Sequence, residues 1–192
     1  TDVTKEASDM VLTDDNFASI VNAVEEGRGI FDNIQKFVHY LLSCNFGEVL
    51  LMFFAALIGW PAPLAAIQIL WINLVTDGLP ALALGMEPPE RDIMTRPPRP
   101  PLEAVITRQR GLLILFHGTL IATVAGLGFW LIYQGDETHL ARARAVAFCV
   151  TAFAQLFFAI GCRSQHSTMP GLGLFTNPHL IGAIVISGLL QF

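Results

Sequence analysis

The stretch Asn73-Leu74-Val75-Thr76-Asp77-Gly78-Leu79-Pro80 decides how this chain folds, because it places an acid inside a long apolar run. That run extends from residue 61 to residue 86 and contains no other charged residue. A carboxylate at bilayer depth costs at least about 2.5 to 3.5 kcal/mol on insertion scales, so such an acid marks a functional site by default. Asn73, Thr76 and Asp77 are spaced i, i+3 and i+4, which places the three side chains on one face of a helix.

Gly78 and Pro80 weaken the same helix. Proline has no backbone N–H, and its ring clashes with the carbonyl four residues earlier, which here belongs to Thr76. Carbonyl groups near Thr76 can therefore turn away from the helix axis and serve as cation ligands. The sequence predicts a broken membrane helix with oxygen donors at the break.

The composition is typical of a membrane protein. Of the 192 residues, 53% are hydrophobic and 14% are charged, whereas about 25% are charged in a soluble domain. Four of five apolar segments are long enough to span a bilayer, which takes about 20 residues. The five segments are 37–59, 61–86, 111–133, 145–162 and 178–192. We therefore predict a mainly α fold, a transmembrane helical bundle. Because the chain starts without Met and ends inside an apolar run, we expect it to be part of a larger polypeptide.

The basic residues predict the orientation of the bundle. If Thr1 is cytoplasmic and each segment crosses once, only Arg142 and Arg144 of the eleven lysines and arginines fall on the outer side. This bias agrees with the excess of Lys and Arg in cytoplasmic loops. Five of the arginines belong to the connector 91–110. We interpret it as a stiff charged connector, or as a surface for cytoplasmic domains or lipid headgroups.

The polar start of the chain has its own pattern. Residues 9–13 predict a short strand, and residues 14–16 supply an N-cap and an acidic first turn for a helix that begins near Phe17. Apolar residues then recur at helical spacing into the first apolar segment. One helix from about Phe17 to about Leu57 would be on the order of 60 Å long at roughly 1.5 Å per residue. The alternative is two helices that are broken near Gly27 and Gly29.

A second intramembrane acid, Glu48, lies three residues after Asn45 and therefore on the same helix face. Two acids on adjacent antiparallel helices, each with amide or hydroxyl oxygens, suit a hard cation. Calcium takes six to eight oxygens in flexible geometry, so nearby carbonyls and five side chains could supply most of a shell. The five candidate ligands are Asn45, Glu48, Asn73, Thr76 and Asp77. The alternative is that both acids are protonated and form hydrogen bonds between helices.

Gln155 in the fourth apolar segment is a further candidate. It lies one turn after Thr151, so both side chains could face the interior that the two acids share. A lone glutamine in a transmembrane helix can either bind the cation or hold two helices together. The sequence leaves both interpretations open.

Several motifs in this order resemble type II P-type ATPases of the calcium-pump kind. Residues 5–17 are similar to the end of the phosphorylation domain, and residues 24–28 to the stalk of those proteins. Residues 40–48 resemble the fifth transmembrane helix, and residues 70–81 the sixth. Residues 92–99 resemble the loop after the sixth helix. The remainder, from residue 111 onward, matches helices seven to nine by position and hydropathy.

The resemblance implies three parts. Residues 1–16 would be a small remnant of the α/β phosphorylation domain, 17–36 a cytoplasmic stalk helix, and 37–192 a transmembrane cation-transport domain that is truncated in its last helix. It also implies that the positions of Asn45, Glu48, Asn73, Thr76 and Asp77 are cation ligands, and that the sixth helix is unwound at Gly78. Two-site calcium pumps carry a glutamate where Gln155 aligns.

The implied function is ATP-driven transport of Ca²⁺, with manganese or another cation as the alternative cargo. ATP and Mg²⁺ would bind outside this chain, which contains no Asp-Lys-Thr-Gly segment and is expected to be inactive on its own. Expected partners are the lipid bilayer, the cation, and the remaining helices and cytoplasmic domains of the same polypeptide, with no nucleic acid. The expected location is the cell membrane. A secondary transporter and a noncatalytic membrane interaction protein are the alternatives from other classes.

Overall fold

The computed structural model describes residues 2–8, 10–12, 16–90, 92–98, 100, 104–164 and 176–191. Its α-helices are α1 (Asp2–Glu6), α2 (Phe17–Ile58), α3 (Ala66–Trp71), α4 (Gly78–Gly85), α5 (Arg108–Tyr133), α6 (Leu140–Gly161) and α7 (Pro178–Leu189). A π-helical segment, Ile72–Thr76, joins α3 to α4, and a 3-10 turn, Glu137–His139, precedes α6. The described residues contain no strand. The predicted mainly α fold is confirmed.

Helix α2 runs without a break for 42 residues. The Asn16 side chain accepts a hydrogen bond from the Ala18 N–H at 3.0 Å and so caps the N-terminus. Gly59 ends the helix in the left-handed conformation, with φ at 82°, where a residue without Cβ is unstrained. The prediction of one continuous helix is confirmed, and the alternative break near Gly27 and Gly29 is wrong.

The strand that was predicted for residues 9–13 is not found in its described part. Residues 10–12 have no regular structure, while Asp9 and Thr13 lie outside the described residues. A strand needs a neighbour to satisfy its backbone groups, and the described part of the chain offers none. The assignment of residues 1–16 to a phosphorylation domain stays a prediction.

Four helical stretches are long and apolar enough to cross a membrane, namely 17–58, 66–85, 108–133 and 137–161. Helix α7 is apolar but shorter, with 12 residues. Large apolar side chains remain exposed on the outer faces, and Leu57, Leu74 and Phe157 are each at least 70% exposed. Such side chains suit contact with lipid. The predicted bundle of membrane helices agrees with this arrangement.

Two apolar clusters fill the interior of the bundle. In one, Tyr40 and Cys44 of α2 pack with residues of α4, α5, α6 and α7. In the other, Leu51 of α2 packs with Phe129 of α5 and Ala147 of α6. Along α2 the two clusters are separated by the buried carboxyl group of Glu48, so a polar layer lies between them.

Basic side chains tie the connector after α4 to the stalk part of α2. Arg28 donates to the carbonyl oxygens of Ile93 and Arg96 at 2.8 and 2.9 Å. Arg96 in turn forms ion pairs with Asp32 at 2.8 Å and with Asp92 at 2.8 Å. Hydrogen bonds to Asp92, together with the charge of Asp32, raise the pKa of Arg96 above its ordinary value. This part of the connector therefore packs on α2, and which side of the membrane it faces stays a prediction.

Candidate cation site

The break in the second membrane stretch is a π-helical segment. The Asp77 N–H donates to the carbonyl of Ile72, five residues earlier, at 2.9 Å, which is the π-helical pattern. Pro80 cannot donate to the Thr76 carbonyl, which it would face in a regular helix. The predicted interruption of this helix is confirmed, and it begins before Gly78, at Ile72.

Asp77 is fully buried and only half satisfied. Its Oδ1 accepts a hydrogen bond from the Tyr40 hydroxyl at 2.9 Å. Its Oδ2 is also buried and has no hydrogen-bond partner among the described residues. A buried acceptor that is left without a partner costs about 1 to 3 kcal/mol. A bound cation would give this oxygen the partner that it lacks.

Three membrane stretches meet at the carboxyl group of Glu48, which is 4% exposed. Gln155 of α6 donates from Nε2 to Oε1 at 2.9 Å. Asn73 of the π-helical segment donates from Nδ2 to Oε2 at 2.8 Å. Both acids thus accept hydrogen bonds from other helical stretches, and none of these contacts joins Glu48 to Asp77. The alternative that both acids are protonated and hold helices together stays a prediction.

The two amides around Glu48 can change their role. Gln155 is fully buried, and its Oε1 has no partner in the described part of the chain. An amide carries two N–H donors and one carbonyl acceptor on the same group. Rotation about the last side-chain bond of Gln155 or Asn73 would turn an oxygen toward the space that the N–H now occupies. Each amide can therefore donate to Glu48, as it does here, or present its oxygen at the same place.

Asn45 does not join this cluster. Its side chain is exposed, and Nδ2 donates to the Leu41 carbonyl of its own helix at 2.8 Å. Asn45 and Glu48 are three residues apart, so their side chains differ by about 60° around the helix axis. This offset leaves Asn45 on the outer side of α2, while Glu48 points inward. The expectation that both residues line one site is not met here, and a role for Asn45 as a ligand stays a prediction.

Thr76 is fully buried and faces α7. Its Oγ1 accepts a hydrogen bond from Gln191 Nε2 at 2.9 Å, and the neighbouring Val75 carbonyl accepts one from the Ser187 hydroxyl at 3.2 Å. Sequence reasoning missed Ser187 and Gln191. The available signal was a pair of polar residues one turn apart in the last apolar segment.

Tyr40 was missed as well, although its position carried a signal. It precedes Glu48 by eight residues, which is slightly more than two helical turns, so both side chains point to the same side of α2. Both are buried, with Tyr40 fully so. A tyrosine hydroxyl in such a place needs a polar partner, and Asp77 supplies it.

The donor set suits a hard cation. Within the described residues, no three His, Cys, Asp or Glu side chains lie close enough together to hold a metal ion. The oxygens at hand are those of two carboxylates, two amides, one hydroxyl and the carbonyls of the break. Such ligands are preferred by Ca²⁺ and Mn²⁺, whereas Zn²⁺ prefers nitrogen and sulfur.

One family model and several relatives match this chain. The family model described as "Cation transporting ATPase, C-terminus" matches residues 61–192. A "Calcium-transporting ATPase" of Bacillus subtilis is 50% identical over 191 residues, which is all of this chain and 21% of the relative. "Calcium-transporting ATPase type 2C member 2" of Rattus norvegicus is 40% identical over 191 residues, again all of this chain and 20% of the relative.

A third relative, "Calcium-transporting ATPase 1" of Schizosaccharomyces pombe, is 42% identical over 177 residues, or 92% of this chain and 20% of the relative. The chain thus spans about a fifth of the length of the relatives that it matches. The family match covers well over half of the chain, and it includes the broken helix, α6 and α7. This chain belongs to the family of cation-transporting ATPases, in the C-terminal membrane part.

Proposed function

We propose that the whole protein is an ATP-driven Ca²⁺ pump and that this chain supplies part of the membrane site for the ion. The observation that carries the proposal is the buried Oδ2 of Asp77, which has no partner among the described residues. It lies in the same polar layer as Glu48, whose two neighbours are neutral amides and not basic residues. The three relatives described above are all named calcium-transporting ATPases, which supports Ca²⁺ as the cargo.

Each residue has a role in this proposal. Asp77 and Glu48 supply the negative charge, and two carboxylates balance one divalent cation. Asn73 and Gln155 turn their amide oxygens toward the ion, and Thr76 adds its hydroxyl. Ca²⁺ accepts six to eight oxygens at about 2.3 to 2.6 Å in irregular geometry, which fits ligands from three separate helical stretches.

Helix α2 would connect this site to ATP hydrolysis. It continues unbroken from Phe17 to beyond Glu48, a distance of about 45 Å at about 1.5 Å per residue. A stiff helix of this length can carry a displacement from a cytoplasmic domain to a ligand in the membrane. ATP and Mg²⁺ would bind in parts of the polypeptide outside this chain, with the Thr1 end cytoplasmic and the protein in the cell membrane.

The proposal is tested with the full-length protein in sealed vesicles, by measuring ATP-driven uptake of Ca²⁺, Mn²⁺ and Na⁺. We expect Ca²⁺ uptake in the wild type, and we expect Asp77→Asn to reduce it at least about a hundredfold, because the removed charge touches the ion directly. Glu26→Gln removes an acid from the exposed stalk and is the matched control, which should transport normally. Retention of Ca²⁺-stimulated ATP hydrolysis by Asp77→Asn would contradict the proposal.

A further inference from the structure

Helix α7 and the turn after it place two polar side chains against the π-helical segment. Ser187 of α7 is fully buried, and Gln191 lies four residues further on, in the turn that follows the helix. Gln191 Nε2 also donates to the Ser187 carbonyl at 2.9 Å, which holds its amide in place. The opposite face is apolar and exposed, with Ile186 at 53% and Leu189 at 69%.

Ser187 and Gln191 each donate a hydrogen bond to an oxygen atom of the π-helical segment. The Ser187 hydroxyl donates to the Val75 carbonyl at 3.2 Å and thereby sets the direction of that carbonyl. The next carbonyl, that of Thr76, has lost its regular helical donor because residue 80 is proline. The direction of the backbone oxygens at the break therefore depends on α7 as well as on the broken helix itself.

Gln191 controls how the Thr76 hydroxyl is presented. Its Nε2 donates to Thr76 Oγ1 at 2.9 Å and occupies one lone pair of that oxygen. Its own Oε1 is buried and has no partner among the described residues. Rotation of the amide would let Oε1 accept the Thr76 hydroxyl proton, which would free the lone pairs of Oγ1 for a cation.

We propose that Ser187 and Gln191 are positioning residues of the cation site. They set the direction of the Val75 carbonyl and of the Thr76 hydroxyl, and the site thereby prefers Ca²⁺ over Mn²⁺. This inference rests on the function proposed above. A smaller hard cation such as Mg²⁺ demands near-octahedral oxygens at about 2.0 to 2.1 Å, and Mn²⁺ also favours octahedral oxygen sites. The hydrogen bonds from Ser187 and Gln191 keep the Val75 and Thr76 oxygens from moving inward around a smaller ion. Loss of either hydrogen bond therefore favours Mn²⁺ relative to Ca²⁺.

The test compares Ca²⁺ and Mn²⁺ uptake by the full-length protein in sealed vesicles with ATP in the outer solution, normalised to the amount of monodisperse protein. Gln191→Leu and Ser187→Ala each remove one of these hydrogen bonds, and Leu189→Ala shortens a side chain on the exposed face as the matched control. We expect the apparent affinity for Ca²⁺ to fall about tenfold in Gln191→Leu and about threefold in Ser187→Ala, as for the loss of one hydrogen bond. The affinity for Mn²⁺ should fall less, so the Ca²⁺/Mn²⁺ ratio falls, while the KM for ATP stays unchanged.

Rescue separates positioning from general stability. Ser187→Thr keeps the hydroxyl, so its Ca²⁺/Mn²⁺ ratio should equal that of the wild type. Comparison of Ser187→Ala with Ser187→Thr also tests the inference if Gln191→Leu does not fold. A wild type that transports both ions, with the same ratio in Ser187→Ala and Gln191→Leu, would overturn this inference alone. A wild type that takes up neither ion would contradict the proposed function, and the inference would fall with it.

Discussion

At the scale of single residues, the two acids of the site differ in what surrounds them. Glu48 accepts hydrogen bonds at both oxygens, from Gln155 and Asn73. Asp77 accepts a hydrogen bond from Tyr40 at Oδ1, whereas its Oδ2 has no hydrogen-bond partner among the described residues. Glu48 is therefore satisfied without an ion, whereas Asp77 is the acid whose environment a cation improves most. In the proposed site, Asp77 would therefore bind the ion strongly, whereas Glu48 would first have to lose its hydrogen bonds to two amides.

The amide of Gln155 makes this assignment testable. Gln155→Glu replaces the donor that lies 2.9 Å from Glu48 with a second carboxylate, which repels Glu48 when no ion is present and adds a ligand when Ca²⁺ is bound. We expect the free energy of unfolding in the presence of a chelator to fall by about 1 to 3 kcal/mol. Ca²⁺ should restore more stability to this variant than to the wild type, because a ligand stabilises the state that binds it. Thermal unfolding of the purified full-length protein with and without Ca²⁺ measures both effects.

Gln155→Met is the control for this variant. It removes the same donor and adds no charge, so it should lose stability in the chelator and gain no additional stabilisation from Ca²⁺. If Gln155→Glu responded to Ca²⁺ no more than Gln155→Met does, Gln155 would be a helix-helix contact and not part of the ion site.

The residues that sequence could predict are those that break an apolar pattern. Asp77, Thr76 and Glu48 stand out for this reason, and the structure places all three in the buried interior. Asn45 follows the same rule in sequence, but a small rotation around α2 leaves it outside. Gln191 was not predicted, because its contact with Thr76 depends on how α7 packs against the π-helical segment. The periodicity of apolar residues carries no information on that packing.

At the scale of elements, the closest approach is between α2 and α5. A Cβ at Gly118 would lie 2.7 Å from the Phe46 ring and 2.9 Å from the Ser43 carbonyl. The facing glycine of α2, Gly47, would place a Cβ 3.0 Å from the Gly118 carbonyl. Small residues allow membrane helices to pack this closely. The position of Glu48, which follows Gly47 directly, depends on this contact.

Gly118→Ala should therefore push α2 away from α5. Overpacking of a tight contact costs about 1 to 3 kcal/mol, and we expect this loss in the free energy of unfolding of the full-length protein in detergent. Gly111→Ala in the same helix is the control, because a Cβ there meets no atom within 4 Å. It should be neutral or stabilising by up to about 1 kcal/mol, since alanine favours helix. Equal effects of the two substitutions would show that the α2–α5 contact tolerates separation.

Helical elements were predictable to different degrees. The continuity of α2 followed from apolar spacing that no proline interrupts, since the two glycines inside the pattern only weaken a helix. A break near Pro80 followed from its missing N–H. The π-helical form of that break, which starts at Ile72, did not follow, because a shift to i→i−5 pairing depends on tertiary contacts such as those of Val75 and Thr76 with α7.

At the scale of the whole molecule, a buried ion pair joins the chain just after α4 to the chain just after α6. Arg163, after α6, donates to Glu87, after α4, at 2.8 Å, and both side chains are at most 3% exposed. Asn177, which caps α7, donates to the same carboxylate and to the Ala83 carbonyl. Asn33 of α2 donates to the Glu87 backbone carbonyl at 2.7 Å. The ends of α4, α6 and α7 and the stalk part of α2 are thus joined to one another around Glu87.

We expect the loss of one partner of the Glu87–Arg163 pair to destabilise the protein strongly, and the replacement of both partners by apolar residues to destabilise it less. Arg163→Met leaves a buried carboxylate without its cation, which costs about 3 to 5 kcal/mol of unfolding free energy, whereas replacing both partners by apolar residues is often neutral or stabilising. The double variant Glu87→Met/Arg163→Met should therefore be more stable than Arg163→Met alone. Unfolding of the wild type, both single variants and the double variant gives the coupling energy of the pair. If the two losses simply added, the pair would contribute no mutual stabilisation, and Asn33 and Asn177 alone would hold the helix ends together.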